Sequence, residues 1–390
     1  MKFTIEEVKS GRQLKEFVCF PEKLFKDAPN WVPPLYSDEF GVLSRKNPAF
    51  EFCDAVYWLA RDERGAVIGR IAGIVNHSAN RDWKENIVRF GWLDFVEDEQ
   101  LLRALIGKVA EWGRSKGMTR MKGPLGFSDM DKEGLLVEGF ENLSPSTCIY
   151  NFPYYGELLE KVGFHKDADW TQRIIELSDQ LPPMFRYADL VKSRFGLKEM
   201  PRKTRKELFK TGYDLFHVLN DSFSQLYEFT RLSEKQIDVY VRQYIPFINQ
   251  DLSCFILNEK DEVVGFCICI PSLSNAYRKS HGRLFPFGFI PILSALKKND
   301  TLEALLIGVL PEYQGKGANV LIFKHIHEGA IKFGIKRMIL NPQLEDNAKV
   351  QTLFGDYEAK PFMRRRSYIM DLTAAPQKTA AGPAVNLEGD

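Results

Sequence analysis

No stretch of this sequence stays apolar for the ~18 residues a bilayer span requires. The nearest contender, FPFGFIPIL at 285–293, is short and carries two prolines. The residues after Met1, KFTIEEVKSGRQLKEF, lack the apolar core of a signal peptide and the Arg/Ser bias of a transit peptide, so a cytosolic location is expected. Cysteine is scarce and scattered: Cys19, Cys53, Cys148, Cys254, Cys267 and Cys269. Only the last two are close, on one face of a strand, and zinc would want a second pair. Reduced, inert thiols and no metal are expected. Net charge is nearly absent, +1 from 53 Lys plus Arg against 52 Asp plus Glu, so no global field draws the chain to nucleic acid or to lipid.

What the chain does have is length, apolar content and repetition. Its 390 residues, 44% hydrophobic, exceed the ~250 at which one core stops growing, so more than one domain is expected. LARDERGAVIGRIAGI (59–74) and FILNEKDEVVGFCICI (255–270) are each an apolar strand, a charged turn and a second strand, and Gly69 matches Gly265 at an offset of 196. Asn151, opening NFPYYGELLEKVGF, and Asn347, opening NAKVQTLFGDYEA, repeat that offset. Between these landmarks lie two amphipathic helices, one striped by Leu102, Leu105, Ile106, Val109 and Trp112, the other by Ile322, Ile326, Ala330 and Phe333. Each half reads as hairpin, long strand, helix, strand, helix and closing strand, QRIIEL (172–177) in one and SYIMDL (367–372) in the other. The fold class is α/β with a mixed sheet in each half. The expected divisions are 1–178, a linker at 179–208, 209–372, and a tail at 373–390 with too little apolar bulk to fold.

The stretch TLEALLIGVLPEYQGKGAN (301–319) carries the chemistry. Its apolar run suits a strand buried on both faces, and Pro311, lacking an amide hydrogen, ends the ladder. Gly315 and Gly317 let backbone amides turn toward a ligand, and a helix beginning near Ala318 or Asn319 adds unpaired N–H groups and a partial positive charge. Together these make a seat for a pyrophosphate; the plain alternative is a tight turn. A Walker loop would need Ser or Thr after Gly315-Lys316, and a dinucleotide fingerprint a third glycine where Val320 stands. The stretch resembles the acyl-CoA pyrophosphate loop of the Gcn5-related N-acetyltransferase (GNAT) superfamily, with Gln314, Gly317 and Asn319 on its motif positions and Asn319 replacing a small residue. Asn347 falls on that family's CoA-contacting asparagine. More narrowly, KGPLGFSDMDKEGLLVEGF (122–140), YNFPYY and HGRLFPFGF resemble a group of bacterial proteins with this doubled layout.

The resemblance implies two tandem GNAT-like domains and an N-acyltransferase using acetyl-CoA or another acyl-CoA, which an amine attacks directly. Its implied cofactor contacts are Val309, Leu310, Gln314, Gly315, Lys316, Gly317, Ala318, Asn319 and Asn347, the amides of Val309 and Leu310 polarising the thioester. Where the family often has a proton-donating tyrosine this chain has Phe354, which leaves Tyr357 and Tyr313 as donors. Glu303, Glu312, Glu345 and Asp346 are candidate bases, each read first as a solvated carboxylate. The rival class is a non-catalytic CoA-binding or interaction protein; RNA binding lacks the interleaved aromatic platforms it uses. In the first half the corresponding turn has Glu97, Asp98 and Glu99 in place of glycine, which would repel a pyrophosphate. Loop 123–139 reads equally as a functional loop or one packed by its own Phe127, Met130 and Leu135. Segment 274–293 has two readings, the lining of an acceptor or acyl-chain groove and, taken first, packing between the halves; the basic runs at 203–206 and 364–366 are read as a solvated face ahead of contact with the CoA 3′-phosphate or RNA. The acceptor amine is expected to be a small molecule or peptide; the sequence is silent on its identity and on oligomeric state.

Overall fold

A computed structural model describes residues 2–224, 226–347 and 357–372. The first half runs β1 (Phe3–Glu7), α1 (Gly11–Leu24), α2 (Tyr36–Leu43), β2 (Cys53–Asp62), β3 (Val67–Asn76), α3 (His77–Asp82), β4 (Ile87–Phe95), α4 (Glu99–Ser115), β5 (Arg120–Gly123), β6 (Leu135–Glu138), α5 (Tyr154–Lys161) and β7 (His165–Glu176). The second runs α6 (Ala188–Phe195), β8 (Lys198–Glu199), α7 (Arg205–Ser222), α8 (Glu234–Tyr244), β9 (Cys254–Leu257), β10 (Val263–Pro271), α9 (Ser274–Ser280), α10 (Phe289–Lys297), β11 (Thr301–Val309), α11 (Ala318–Phe333), β12 (Arg337–Ile339), β13 (Gln343–Leu344) and β14 (Ala359–Asp371). The helix expected after Asn347, with Phe354, and the tail after Leu372 lie outside the described residues.

The repeat read from sequence is a repeat of topology. In each half an antiparallel hairpin, β2–β3 or β9–β10, is followed by an antiparallel strand, β4 or β11, and then by a parallel one, β5 or β12. Gly69 stands opposite Phe95 and Gly265 opposite Val309, the same register in both. The crossing helices use the anticipated stripes: Leu102, Leu105, Ile106 and Val109 are buried on α4, and Ile322, Ile326 and Ala330 on α11, each large side chain worth ~1.5–3 kcal/mol of apolar burial.

The closing strands depart from expectation. β7 does not end the first half's sheet, nor β14 the second's. β14 pairs with β5 and β6 of the first half, β7 with β12 and β13 of the second, and the two lie antiparallel to each other from His165 to Ile175 and Ala359 to Ile369. One continuous sheet results, in the order β1-β2-β3-β4-β5-β14-β7-β12-β11-β10-β9-β8. Each half-sheet would otherwise end in a row of unpaired backbone groups, and the exchange satisfies both rows at once.

The seam also corrects the reading of the basic run 364–366 as a solvated face. Arg365 is wholly buried and bonds Gln172 Oε1 at 3.2 Å and the Ile149 carbonyl. Arg366 forks onto buried Asp169 at 2.8 and 3.0 Å, and Arg364 adds a third bond at 3.0 Å. Burial raises the Asp169 carboxyl, but the two guanidiniums outweigh it and hold the group below its usual range. Residues 179–208 are likewise more than a connector: Phe185, Val191 and Leu197 join the second core, and β8 pairs with β9.

A second joint is made by residues 227–230, between α7 and α8. Glu228 reaches across to Arg89 at 2.6 Å and Lys122 at 2.5 Å, Tyr227 donates to Asp167, the Phe229 carbonyl accepts from Trp83 Nε1 at 3.1 Å, and the Thr230 amide donates to Asp129 at 3.3 Å. Burial raises the Glu228 carboxyl, yet Arg89 and Lys122 dominate and lower it. Glu228→Gln leaves buried Arg89 without its anion, while Lys122 keeps Asp167 at 3.4 Å and Glu85 at 3.5 Å, and is expected to cost about 3–5 kcal/mol in denaturant unfolding. Because the folded-state value is depressed, that stabilisation is present at neutral pH and fades as pH falls through the lowered value, so wild type and variant converge in acid.

Candidate active site

β11 and β12 pair only from Thr301 to Glu303 on one side and Arg337 to Ile339 on the other. Beyond Glu303 they separate: the Leu340 amide turns to the Arg173 carbonyl of β7, while β11 runs on to Val309 with its edge toward β12 unpaired. The antiparallel ladder fixes where that edge points. The Leu310 amide donates to the Val264 carbonyl at 2.9 Å, so Val309, opposite Gly265, forms a non-hydrogen-bonded pair with β10. Its N–H is therefore directed into the opening. Of the two expected amides, Val309 is available there and Leu310 is spent on the ladder.

The chain leaves β11 through a single turn at Pro311–Tyr313 and enters α11 through the glycines. Gly315 has φ +76° and Gly317 φ +82°, left-handed backbone that a glycine adopts without strain. Gly317 has a second reason to lack a side chain: a Cβ there would stand 2.6 Å from Val191 of α6. In the loop, Lys316 N–H turns back to the Tyr313 carbonyl at 3.3 Å, and Gln314 Nε2 donates to the Val309 carbonyl at 3.2 Å. Among the described residues no acceptor meets the amides of Gly315, Gly317, Ala318 or Asn319. Four donors at the positive end of a 16-residue helix, with Gln314 and Gly315 exposed, fit a diphosphate.

Glu303 lies further back on the same strand and is not the solvated carboxylate expected. Leu302 and Ala304 face the core under α11, so Glu303 projects from the other face, where it is buried. Its Oε1 accepts from Ser272 at 2.5 Å and Ser274 at 3.5 Å, at the start of α9; Oε2 has no donor among the described residues. Burial raises its carboxyl, and the serines only partly offset this. A buried carboxyl with a free oxygen and a raised pKa is a better proton acceptor than a solvated carboxylate.

The remaining candidates are dispersed. Tyr313 sits in the loop itself, its hydroxyl bonded to Asn258 Nδ2 at 3.2 Å and its ring under Lys316 Nζ at 5.1 Å. Tyr357 stacks on His327 and its hydroxyl meets His327 Nδ1 at 3.1 Å. His327 is ten residues into α11, about 15 Å from the glycines. Glu345 is drawn to the seam, with Arg364 at 3.0 Å and Lys166 also on it, and the Asn347 amide closes a turn onto the Leu344 carbonyl at 3.0 Å. Glu312 and Asp346 are exposed. His325 and His327 have separate partners, the Gln250 carbonyl and the Tyr357–Ser178 pair.

In the first half the same opening is filled. β4 and β5 pair from Ile87 to Arg89 and then part, and Val96 N–H closes onto the Ile68 carbonyl as Leu310 does onto Val264. The Phe95 amide, counterpart of Val309, donates to the Tyr155 hydroxyl at 3.2 Å, while Tyr154 donates to the Phe95 carbonyl at 2.6 Å. The rings of Phe95 and Tyr155 lie 4.5 Å apart, and Tyr155 is wholly buried. At the start of α4 the Asp98 carboxylate accepts from Leu101 N–H at 2.9 Å, so the helix end is capped from within. The acidic turn alone points to a half that takes no pyrophosphate; that the tyrosines of YNFPYY also plug the opening is decided by tertiary packing and is not readable from the sequence. At the same offset the second half has Val350 and Gln351. Loop 123–139 is packed, Phe127 against Phe50 and Trp92, and held by Asp131, which accepts from Phe127 and Ser128 amides at 2.8 and 3.2 Å. Burial pushes the carboxyls of Asp131 up to about 6 and Asp129 up to about 7.

Residues 213–355 match the Acetyltransferase (GNAT) family. Over the longer chain, Protein YghO of Escherichia coli is 26% identical across 365 residues, 91% of this chain and 92% of that one. The bacterial ceramide synthase of Caulobacter vibrioides is 26% identical across 355 residues, 87% and 90% of the two chains. Among solved structures, a tandem GNAT protein from the clavulanic acid biosynthesis pathway superposes with a TM-score of 0.56 at 12% identity, covering 96% of this chain and all of that one. A GCN5-related N-acetyltransferase from Sphaerobacter thermophilus gives 0.51 at 10% identity, covering 95% and 96%. The fold is the tandem GNAT fold. Tyr155→Phe, which strands the buried Phe95 amide, is expected to lower unfolding stability by ~1–3 kcal/mol while leaving any ligand-induced stabilisation at the glycine loop unchanged.

Proposed function

We propose that this chain is an acyl-CoA-dependent N-acyltransferase whose second half binds the thioester and whose first half is structural at the corresponding place. The observation that carries the reading is the set of unpartnered amides at Gly315 and Gly317–Asn319 beside the unpaired edge of β11. In this reading the loop amides hold the CoA diphosphate, with Gln314, Lys316 and Asn347 around it. The Val309 N–H polarises the thioester carbonyl, where negative charge gathers as the amine attacks. Glu303 takes the proton that the attacking amine sheds, and Tyr313, in the loop, is the hydroxyl we assign to protonating the departing thiolate. The relative called a ceramide synthase supports an amine acceptor, since ceramide is an N-acylated amino alcohol.

A melting screen against CoA, acetyl-CoA and longer acyl-CoAs tests cofactor binding: ligand at ~100 times its Kd adds about 2.7 kcal/mol, and no shift with any of them would sink the proposal. Asn319→Asp separates binding from folding. A carboxylate in the first turn of α11 suits the helix dipole, by ~0.3–1 kcal/mol, but faces the diphosphate. The expected outcome is an unchanged or higher melting point without ligand and a smaller shift with it.

Thioester consumption with a panel of amines tests turnover. Because burial raises the Glu303 carboxyl, activity should rise with pH along a limb centred above the ordinary glutamate value of ~4.3, and Glu303→Gln should remove that limb along with most of kcat. Phenylalanine at 354, where a proton donor is often found, favours a second reading, a non-catalytic CoA-binding protein. Stabilisation by acyl-CoA without consumption of any thioester would select it.

A further inference from the structure

Only the first part of the segment expected to pack the halves together does so: the Tyr36 amide donates to the Gly282 carbonyl at 3.0 Å and Arg283 pairs with Glu22, while from Phe285 on the chain turns outward. Phe285, Phe287, Ile290 and Leu293 are 79%, 71%, 53% and 50% exposed, Phe289 stands out beside them, and α10 has no buried residue although six of its nine are apolar. The helix rests on α9 and touches β10, and turns the rest of its surface outward. Isolated apolar residues on a surface need no explanation; five large ones within nine positions do.

The surroundings point to the chemistry that would cover them. From Ser274 to Asn299 there is no Asp or Glu, and Arg278, Lys279, Lys297 and Lys298 are exposed at the ends of α9 and α10. Among the described residues none of these four has an ion-pair partner; the neighbouring Arg283 has one, forked onto Glu22 at 2.7 and 2.9 Å. Arg278 and Lys279 also line a cleft of about 380 Å³ shared with Phe25, Lys26 and Trp31 of the first half. Aromatic and aliphatic residues flanked by unpaired cations suit a surface that is apolar beneath and anionic above. At nine residues α10 is about 14 Å long, enough to lie in a headgroup layer and far short of the ~30 Å hydrocarbon core. A second copy is a poorer fit: a two-fold contact would set these four cations against their own copies, cation against cation. The tail 373–390 is poorer still, having no aromatic residue to offer.

We infer that residues 285–293, with Arg278, Lys279, Lys297 and Lys298, form a docking face for an anionic phospholipid bilayer. The inference stands apart from acyl transfer, since docking requires neither CoA nor an intact site. The test is co-sedimentation of the full chain with phosphatidylcholine vesicles made with and without phosphatidylglycerol. The expected result is binding at least about tenfold tighter to the anionic vesicles, weakened by salt. Replacing the four most exposed residues (Phe285→Ser, Phe287→Ser, Ile290→Ser, Leu293→Ser) should abolish binding to both vesicle types, at an unchanged melting temperature because none is buried. Replacing the four cations by Gln should erase only the anionic preference. Failure of the wild type to sediment with either vesicle overturns the inference, as does a serine variant that sediments as well as wild type. A wild-type dimer that the serine variant dissolves, without vesicle binding, would assign the face to a second copy instead.

Discussion

Everything in this molecule is arranged around one antiparallel pairing, β7 against β14. Each strand is the last of its own half, and each completes the sheet of the other. Neither half-sheet has its full set of backbone partners alone, although the chain buries four separate apolar clusters. The pairing also explains why the interior of a nearly neutral protein holds so many charges. Arg364, Arg365 and Arg366 belong to the second half and are satisfied by Asp169, Gln172 and the Ile149 carbonyl of the first. Glu228 closes a second bond across the halves onto Arg89 and Lys122. Such groups contribute less net energy than apolar packing would, but they are costly to misplace, so they specify how the halves meet.

On this shared frame the same local device has two fates. A parallel strand that parts from its neighbour leaves an edge, and the last residue of the long strand turns an amide into the gap. In the second half that amide belongs to Val309 and opens onto a glycine loop; in the first it belongs to Phe95 and is taken by Tyr155. Filling the gap with two tyrosines converts an opening into core, with the polar backbone atoms still paired. The difference between the two openings therefore rests on side chains placed by α5 and on the composition of one turn, and not on any difference in topology.

The connection from β10 to β11 is where the second half differs most from the first. Its counterpart is the short crossing through α3, whereas here residues 272–300 hold the serines that grip Glu303, the cationic end of α9, and the exposed α10. A buried carboxyl and an outward apolar helix thus sit at the two ends of a single excursion of the chain.

Much of this was legible in the primary structure. Hairpins, crossing helices and the start of α11 follow from apolar periodicity, and the glycine loop follows from proline, glycine and position, because these features act over a few residues. The free amides of the glycine loop need only backbone, so the place of that loop is readable from the sequence. Tertiary structure alone decided the rest. Which sheet a closing strand joins depends on an edge many residues away, and β-propensity is the same in either place. Whether Glu303 or Arg365 meets water or protein depends on what packs above it, as does whether Phe285 and Leu293 are hidden. Local composition states what a side chain can do, and only the assembled fold determines what surrounds it.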